Sequence, residues 1–325
     1  MKRVISISYS ITILLFIVFN SACDKIDNPV RPIYGDLDTS LYPGPGFYIY
    51  PEFDLNYPSD VENVLIEDYT GHTCGNCPGA AIIAHDLKDA NPGRVFVTAV
   101  HASPTDGFQE VNLPDDPDYP KYSHDFRTEA GNDYVDDING FIGNPQGMVN
   151  RKLSDSDNDN WEFAPAWGTA VEAIISANNP LQMNIQVKTN YYTETRGLFV
   201  HVQSKTLANM SGRYNMVVFL IQDELITWQK DYSFPPAQQD VADYHHKDIL
   251  LGTINGSYGT ELFDGSSTIG EVFENHYSYQ VPADVIYNAN AVAGEECGLS
   301  IIAYLMNRDT YEIIQVTEIP IYVTY

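Results

Sequence analysis

A five-residue run, Cys74-Gly75-Asn76-Cys77-Pro78, constrains this chain more than any other feature, because it sits between an apolar strand-like segment and a helix-forming one. Val64-Leu-Ile-Glu-Asp-Tyr69 reads as a strand. Ala80-Ala-Ile-Ile-Ala-His-Asp-Leu87 has helical periodicity, and Pro78 occupies a position that a first helical turn tolerates. Two cysteines at this spacing across a helix start can reach each other to form a disulfide. The first thiol then lies at the positive end of the helix dipole, which favours its thiolate. Cys74 is therefore expected to attack, and Cys77, shielded in the first turn, to resolve. Two other readings stay open. The pair could be a permanent structural staple, or it could bind a metal with His72 as third ligand. Zinc usually takes four ligands, and no second Cys/His pair is visible.

The N-terminus predicts export. Lys2 and Arg3 precede an apolar stretch, Ile11 to Phe19, that is too short to span a bilayer comfortably and has signal-peptide proportions. Asn20-Ser21-Ala22-Cys23 follows and resembles the lipobox of bacterial lipoproteins. That resemblance implies cleavage before Cys23 and lipidation of its side chain and amino group. The predicted order is a signal peptide at 1–22, a lipid-anchored tether at 23–60 rich in Pro, Gly, Asp and Tyr, and folded sequence from 61. With 44 acidic against 17 basic residues the formal charge is −27, which repels phosphate backbones and anionic lipid alike. Nucleic acid is thus excluded as a partner, and membrane attachment has to come through the anchor. No cofactor is called for. In an oxidising compartment Cys74 and Cys77 can pair, which leaves Cys297, at the mouth of an apolar run, as a buried inert thiol.

Two domains are predicted, meeting near Asn178-Asn-Pro180. In 61–179, Arg94–Val100 is a second, nearly continuous apolar strand, and 102–121 is a polar insertion. Phe126–Ile138 is expected to be helical, Met148–Leu153 a third strand, and Trp161–Ala177 an amphipathic helix. In 180–325 short alternating segments begin at Met183, Leu198, Asn215, Ser278, Leu299 and Ile313. They predict an all-β, sandwich-like domain. Asp155, Asp157 and Asp159 alternate like a calcium loop, but residue 160 is Asn and residue 166 is Ala, against the Gly and Glu that loop needs. His245 and His246 are adjacent in an extended segment and would point to opposite faces, which disfavours joint metal ligation.

The first domain resembles the thioredoxin superfamily. Asp68 stands six positions before Cys74, where that family carries a buried acid, and the implied role is proton acceptor for Cys77. Gly143-Asn144-Pro145 matches the family's cis-proline loop, which implies that Asn144 and Pro145 offer backbone groups to a substrate peptide. Thr73 replaces the family's Trp, and the central dipeptide is Gly-Asn. The fold class expected is thus an α/β thioredoxin-like domain followed by an all-β sandwich-like domain. Over its whole length the chain is similar to the outer membrane protein twenty-eight family of Bacteroidetes lipoproteins. The run Asp68 to Pro78, the segment Asn144 to Arg151 and Tyr244 to Gly252 carry that likeness. It implies an outer-membrane protein facing the periplasm or the cell surface. The function expected is thiol–disulfide exchange at Cys74/Cys77 with a protein or peptide partner that can itself carry a disulfide. The alternative is a surface binding or adhesion lipoprotein with a structural disulfide.

Cys23→Ser should release the chain into the soluble fraction, since the acidic body has no other strong attraction to a membrane. Fractionation after a high-salt wash checks this, and persistent membrane association of the variant would exclude the anchor.

Overall fold

The computed structural model describes residues 31–32 and 37–324, except 55, 58, 105–106, 154–158, 284, 286–287 and 289. Cys23, the signal peptide, Asp155 and Asp157 therefore lie outside the described residues. The strands are β1 (Arg31–Pro32), β2 (Val64–Thr70), β3 (Val95–His101), β4 (Gln146–Val149), β5 (Met183–Tyr192) and β6 (Gly197–Thr206). They continue as β7 (Met210–Lys230), β8 (Asp240–Thr253), β9 (Thr260–Ser267), β10 (Val272–Gln280), β11 (Glu296–Asn307) and β12 (Ile313–Tyr322). The helices are α1 (Cys77–Ala90), α2 (Glu129–Asp137) and α3 (Ala164–Ala177). Among the described residues no helix is long and apolar enough to cross a membrane.

The protein is mostly β, built from two sheets. One has the order β1-β10-β6-β5. The other runs β12-β11-β7-β8-β3-β2-β4, with β9 pairing β7. Strands from both sides of residue 180 thus belong to one sheet. β2 and β3 are parallel and β4 is antiparallel to β2, whereas β3 and β8 meet in parallel at one register pair, Ala99 with Ile249.

Strand alternation distributes the cores. On β7, Met216, Val218 and Leu220 face the four-stranded sheet, packing on Ile185, Val200 and Phe273 in a core between the sheets. Val217, Phe219 and Ile221 face the other way, into a cluster shared with Leu65 and Tyr69 of β2, Val100 of β3 and Tyr134 of α2. A third core lies under α1 and α3, where Val64, Ile66, Val95 and Val97 meet Ala80, Ala84 and Trp167. Gly147 lets this layer close: a Cβ there would stand 2.5 Å from both the Glu67 carbonyl oxygen and the Trp167 ring.

Several predicted elements shift at their ends. The third strand is earlier and shorter than Met148–Leu153, because Asn150 and Arg151 both take left-handed φ, 49° and 50°, and turn the chain away. Asn150 still closes the ladder through its side chain, accepting from the Leu65 amide at 2.7 Å and donating to the Asn63 carbonyl at 3.0 Å. α2 begins at Glu129, not Phe126, because the Thr128 side chain caps it by accepting from the Gly131 amide. α3 begins at Ala164 with Pro165 in its first turn, and ends at Asn178, which is left-handed. Part of the segment expected to be a tether lies across the four-stranded sheet through its aromatic residues. Tyr48 bonds Asn190 and His201 there, the Asp54 backbone exchanges two hydrogen bonds with Gln186, and Tyr57 bonds Gln203.

Arg151 ends with its guanidinium in the second core. It is fully buried and grips the equally buried Glu67 with two bonds, 2.6 and 2.7 Å. It also donates to the Tyr304 hydroxyl at 3.1 Å and lies 4.0 Å over the Tyr134 ring. Arg151→Ala should cost about 3–5 kcal/mol, because it strands a carboxylate in an apolar core. Urea unfolding of the variant measures this, and a loss below about 1 kcal/mol would mean that Glu67 finds water or another partner.

Candidate functional site

The dithiol region is assembled from segments far apart in the chain. β2 delivers two acids in succession, and alternation sends them to opposite faces. Glu67 goes to Arg151. Asp68 goes to the face under α1, together with Val64 and Ile66. The chain then turns through Gly71 and His72 into Cys74 and Cys77, which form a disulfide with a Cα–Cα separation of 5.5 Å. Cys77 opens α1, and its amide donates to the Cys74 carbonyl at 3.3 Å.

Two distant segments roof this loop. The turn joining β7 to β8 pairs with it as an added strand would: the Lys230 amide donates to the His72 carbonyl and the Tyr232 amide to the Gly75 carbonyl, both at 2.8 Å. Gln229 adds side-chain bonds to the carbonyls of Gly71 (3.3 Å) and Cys74 (3.1 Å). The Tyr232 ring rests on Gly75, where a Cβ would come within 2.4 Å of the ring. From the other side the insertion approaches: the Thr73 amide donates to the Phe108 carbonyl, and His72 Nε2 lies 2.8 Å from the Glu110 carbonyl oxygen. The outcome is that Cys74 is 2% exposed and Cys77 is 1% exposed.

Beside the disulfide, between α1 and β8, lies a cavity of about 280 Å³. It exists because β3 and β8 share one register pair and then part, so that no ladder fills the space beyond Ala99. Asp68, Cys77, Ala99, His101, Tyr244 and His246 line it, while Cys74 does not. Asp68 is buried, and its Oδ1 makes no hydrogen bond among the described residues. The same is true of both ring nitrogens of His101. His101 stacks on Phe126, with ring centroids 4.2 Å apart. Orphaned buried polar groups are costly, and they concentrate where a site has work to do. Burial raises the Asp68 carboxyl to about 7, against a smaller opposing pull from His85. Burial also holds His101 well below the usual imidazole range, with His246 the next cause, and takes His246 itself down to about 3. At neutral pH the imidazoles of His101 and His246 are thus neutral, beside a carboxyl poised to gain or lose a proton.

The structure therefore brings Asp68 and Cys77 to one cavity. Asn144 and Pro145 are not part of its lining. The bond between them is cis, and the Asn144 side chain donates to the carbonyls of Thr70 and Ala102 at the ends of β2 and β3. His245 and His246 part as strand alternation requires, His245 outward to Glu224 and His246 inward, where its Nε2 lies 3.3 Å from the Trp228 carbonyl oxygen. Cys297 is a free buried thiol that burial raises to about 11. Sequence reasoning missed Gln229, Tyr232 and His101, and it singled out the segment from Tyr244 without joining it to the dithiol. The one signal available was the density of His and Tyr in 244–246, which is unusual for a segment with no apolar alternation.

α1 is fastened to β8 across the cavity. His85 Nε2 stands 3.1 Å and Lys88 Nζ 3.0 Å from the carboxylate of Asp248, and Lys88 also reaches Glu318 on β12.

The family model described as outer membrane protein Omp28 matches residues 132–324. Among solved structures, HBP35 of Porphyromonas gingivalis aligns over 80% of this chain and 76% of its own, at 16% identity and a TM-score of 0.55, so the fold is shared. A domain of the outer membrane lipoprotein Omp28 from Porphyromonas gingivalis aligns over 44% of this chain and 99% of its own, at 21% identity and a TM-score of 0.29. No curated protein matches the sequence.

Asp68 makes stability depend on pH. An unfolded aspartate titrates near 4. Between about pH 4 and pH 7 the folded chain keeps a proton that the unfolded chain has lost, so stability falls as pH rises through that window. Asp68→Asn should therefore leave stability nearly unchanged at pH 4 and raise it by on the order of a few kcal/mol at pH 8. Denaturant unfolding at both pH values checks this, and an equal effect at the two would mean that Asp68 titrates normally.

Proposed function

The chain belongs to the Omp28 family of outer membrane proteins, and from that premise we propose that it is a lipid-anchored thiol–disulfide oxidoreductase reacting through Cys74 and Cys77. The anchor would be Cys23, the thioredoxin-like unit residues 61–179, and the partner a protein or peptide bearing a disulfide or a thiol pair. The single observation that carries the reading is the shared cavity of Asp68 and Cys77 at the start of α1, with the carboxyl raised to about 7. A base of that pKa can take a thiol proton at neutral pH and return it. The parallel β2–β3 pair, the antiparallel β4 and the packing of α1 and α3 on one face support the thioredoxin-like assignment. In the reduced form Cys74 would lie just before the first turn of α1, where the helix dipole favours its thiolate. A protein partner would reach that sulfur only after displacing Tyr232 and Gln229.

One observation favours the second reading, a binding lipoprotein with a structural disulfide: Cys74 is sealed by the β7–β8 turn. Equilibration of the intact chain in glutathione or dithiothreitol redox buffers separates the two. Exchange proteins poise at roughly −120 to −270 mV, and structural disulfides below about −300 mV. We expect a value in the first range, and mixed disulfides trapped through Cys74 in a Cys77→Ala variant expressed in its native compartment. A potential below about −300 mV together with no trapped species would favour the structural role.

A further inference from the structure

The disulfide has one roofed side and one open side, and the two sulfurs differ in which they face. Cys74 lies beneath Gln229 and Tyr232 and does not line the α1–β8 cavity. Cys77 lines it, together with Asp68 and His101; Asp68 Oδ1 and both His101 ring nitrogens have no hydrogen-bond partner among the described residues. At about 280 Å³ the space admits a molecule of amino-acid size and no folded chain. Its walls combine hydrogen-bonding groups without partners, apolar contact from Ala81, Val97 and Ala99, and a sulfur at one end.

We propose that this cavity is an entry site for low-molecular-weight thiols, which reduce the disulfide by attacking Cys77. The proposal rests on the exchange activity argued above and names the small co-substrate of the same dithiol. The thiol gives its proton to the Asp68 carboxylate. Its sulfur forms a bond to Cys77 Sγ, the Cys74–Cys77 bond breaks, and that electron pair leaves on Cys74 Sγ. Cys74 suits a leaving group, because its thiolate emerges just before the first turn of α1, and a stabilised thiolate departs faster. A second thiol then attacks the bound small-molecule sulfur and expels Cys77, which recovers the proton from Asp68. Two thiols are oxidised to one small disulfide, and the protein disulfide becomes a dithiol whose remaining proton comes from the second thiol. The route needs no movement of the roof. The Cys74 side stays available for a larger partner that displaces it.

The test uses the oxidised full chain and free cysteine as the probe, with a reduced dithiol protein of thioredoxin size in parallel. Reactions are quenched with acid and alkylated, and adducts are mapped by peptide mass spectrometry. We expect the cysteinyl adduct on Cys77. Ala99→Leu, which narrows the cavity from β3, should slow reduction by cysteine at least tenfold without altering the melting temperature. Ala81→Leu, which narrows it from α1, serves in place of the first variant if that one folds poorly. An adduct on Cys74, with rates insensitive to both variants, would overturn the cavity route and leave the oxidoreductase reading standing. A disulfide that resists both cysteine and the protein dithiol until the chain is denatured would overturn that reading, and the route with it.

Discussion

The pairing of Glu67 with Arg151 holds the rest in place. Neither side chain sees solvent, and the guanidinium lies over aromatic rings contributed by α2 and β11. Burying two charges is expensive, and the pair persists because the fork geometry is complete and Tyr304 accepts a further donor. Its value lies in register. A one-residue slip of β2 would exchange the faces of Glu67 and Asp68, taking Glu67 off the Arg151 guanidinium and Asp68 away from the disulfide. Arg151 permits only one of those arrangements. The left-handed turn at Asn150 and Arg151 that brings the guanidinium inward also ends β4 and lets the Asn150 side chain complete the ladder of β2. One segment thereby sets the position of the strand that carries the site.

Local features of the site were legible in the sequence and its enclosure was not. The acid at 68 follows from the likeness to the thioredoxin superfamily, whereas the strand at 64–70 and the helix opened by Cys77 follow from periodicity and a first-turn proline, which act over a few residues. The alternating strands after 180 were readable for the same reason. β8 escaped because its first half is polar and largely exposed, Asp248 takes a left-handed φ, and register shifts against β7 fall towards both ends of the strand. The full length of β7 escaped because only its middle third is apolar on both faces, while its ends pair with β9 and β8 through polar residues. The roof over Cys74 joins Gln229 and Tyr232 to a loop some 155 positions away, and hydrogen bonds between backbone groups leave no mark on residue identity. The partner of Tyr48, His201, was hidden likewise, in a stretch whose composition reads as a tether.

The disulfide environment combines two demands that ordinarily conflict. The roof excludes water from Cys74, yet the cavity keeps an unpaired carboxyl and an unpaired imidazole beside Cys77. A region selected for packing alone would fill that space with Val or Leu, as the neighbouring core under α3 does with Val171 and Ile174. The chain forgoes that stabilisation at the one place where a titrating acid meets a sulfur.

The junction of β3 with β8 has a mechanical consequence. A sheet gains torsional stiffness from successive hydrogen-bonded pairs, and here the eight-stranded sheet is continuous through a single one, Ala99 with Ile249. Along that line the sheet behaves as a hinge. The restraint against twisting falls to α1, packed on β2 and β3 yet moored to β8 and β12 by His85 and Lys88. Those moorings are partly exposed and ionic, so salt weakens them while the apolar cores on either side are unaffected. The breadth of the gap beside the disulfide is accordingly sensitive to ionic strength, without unfolding any part of the chain.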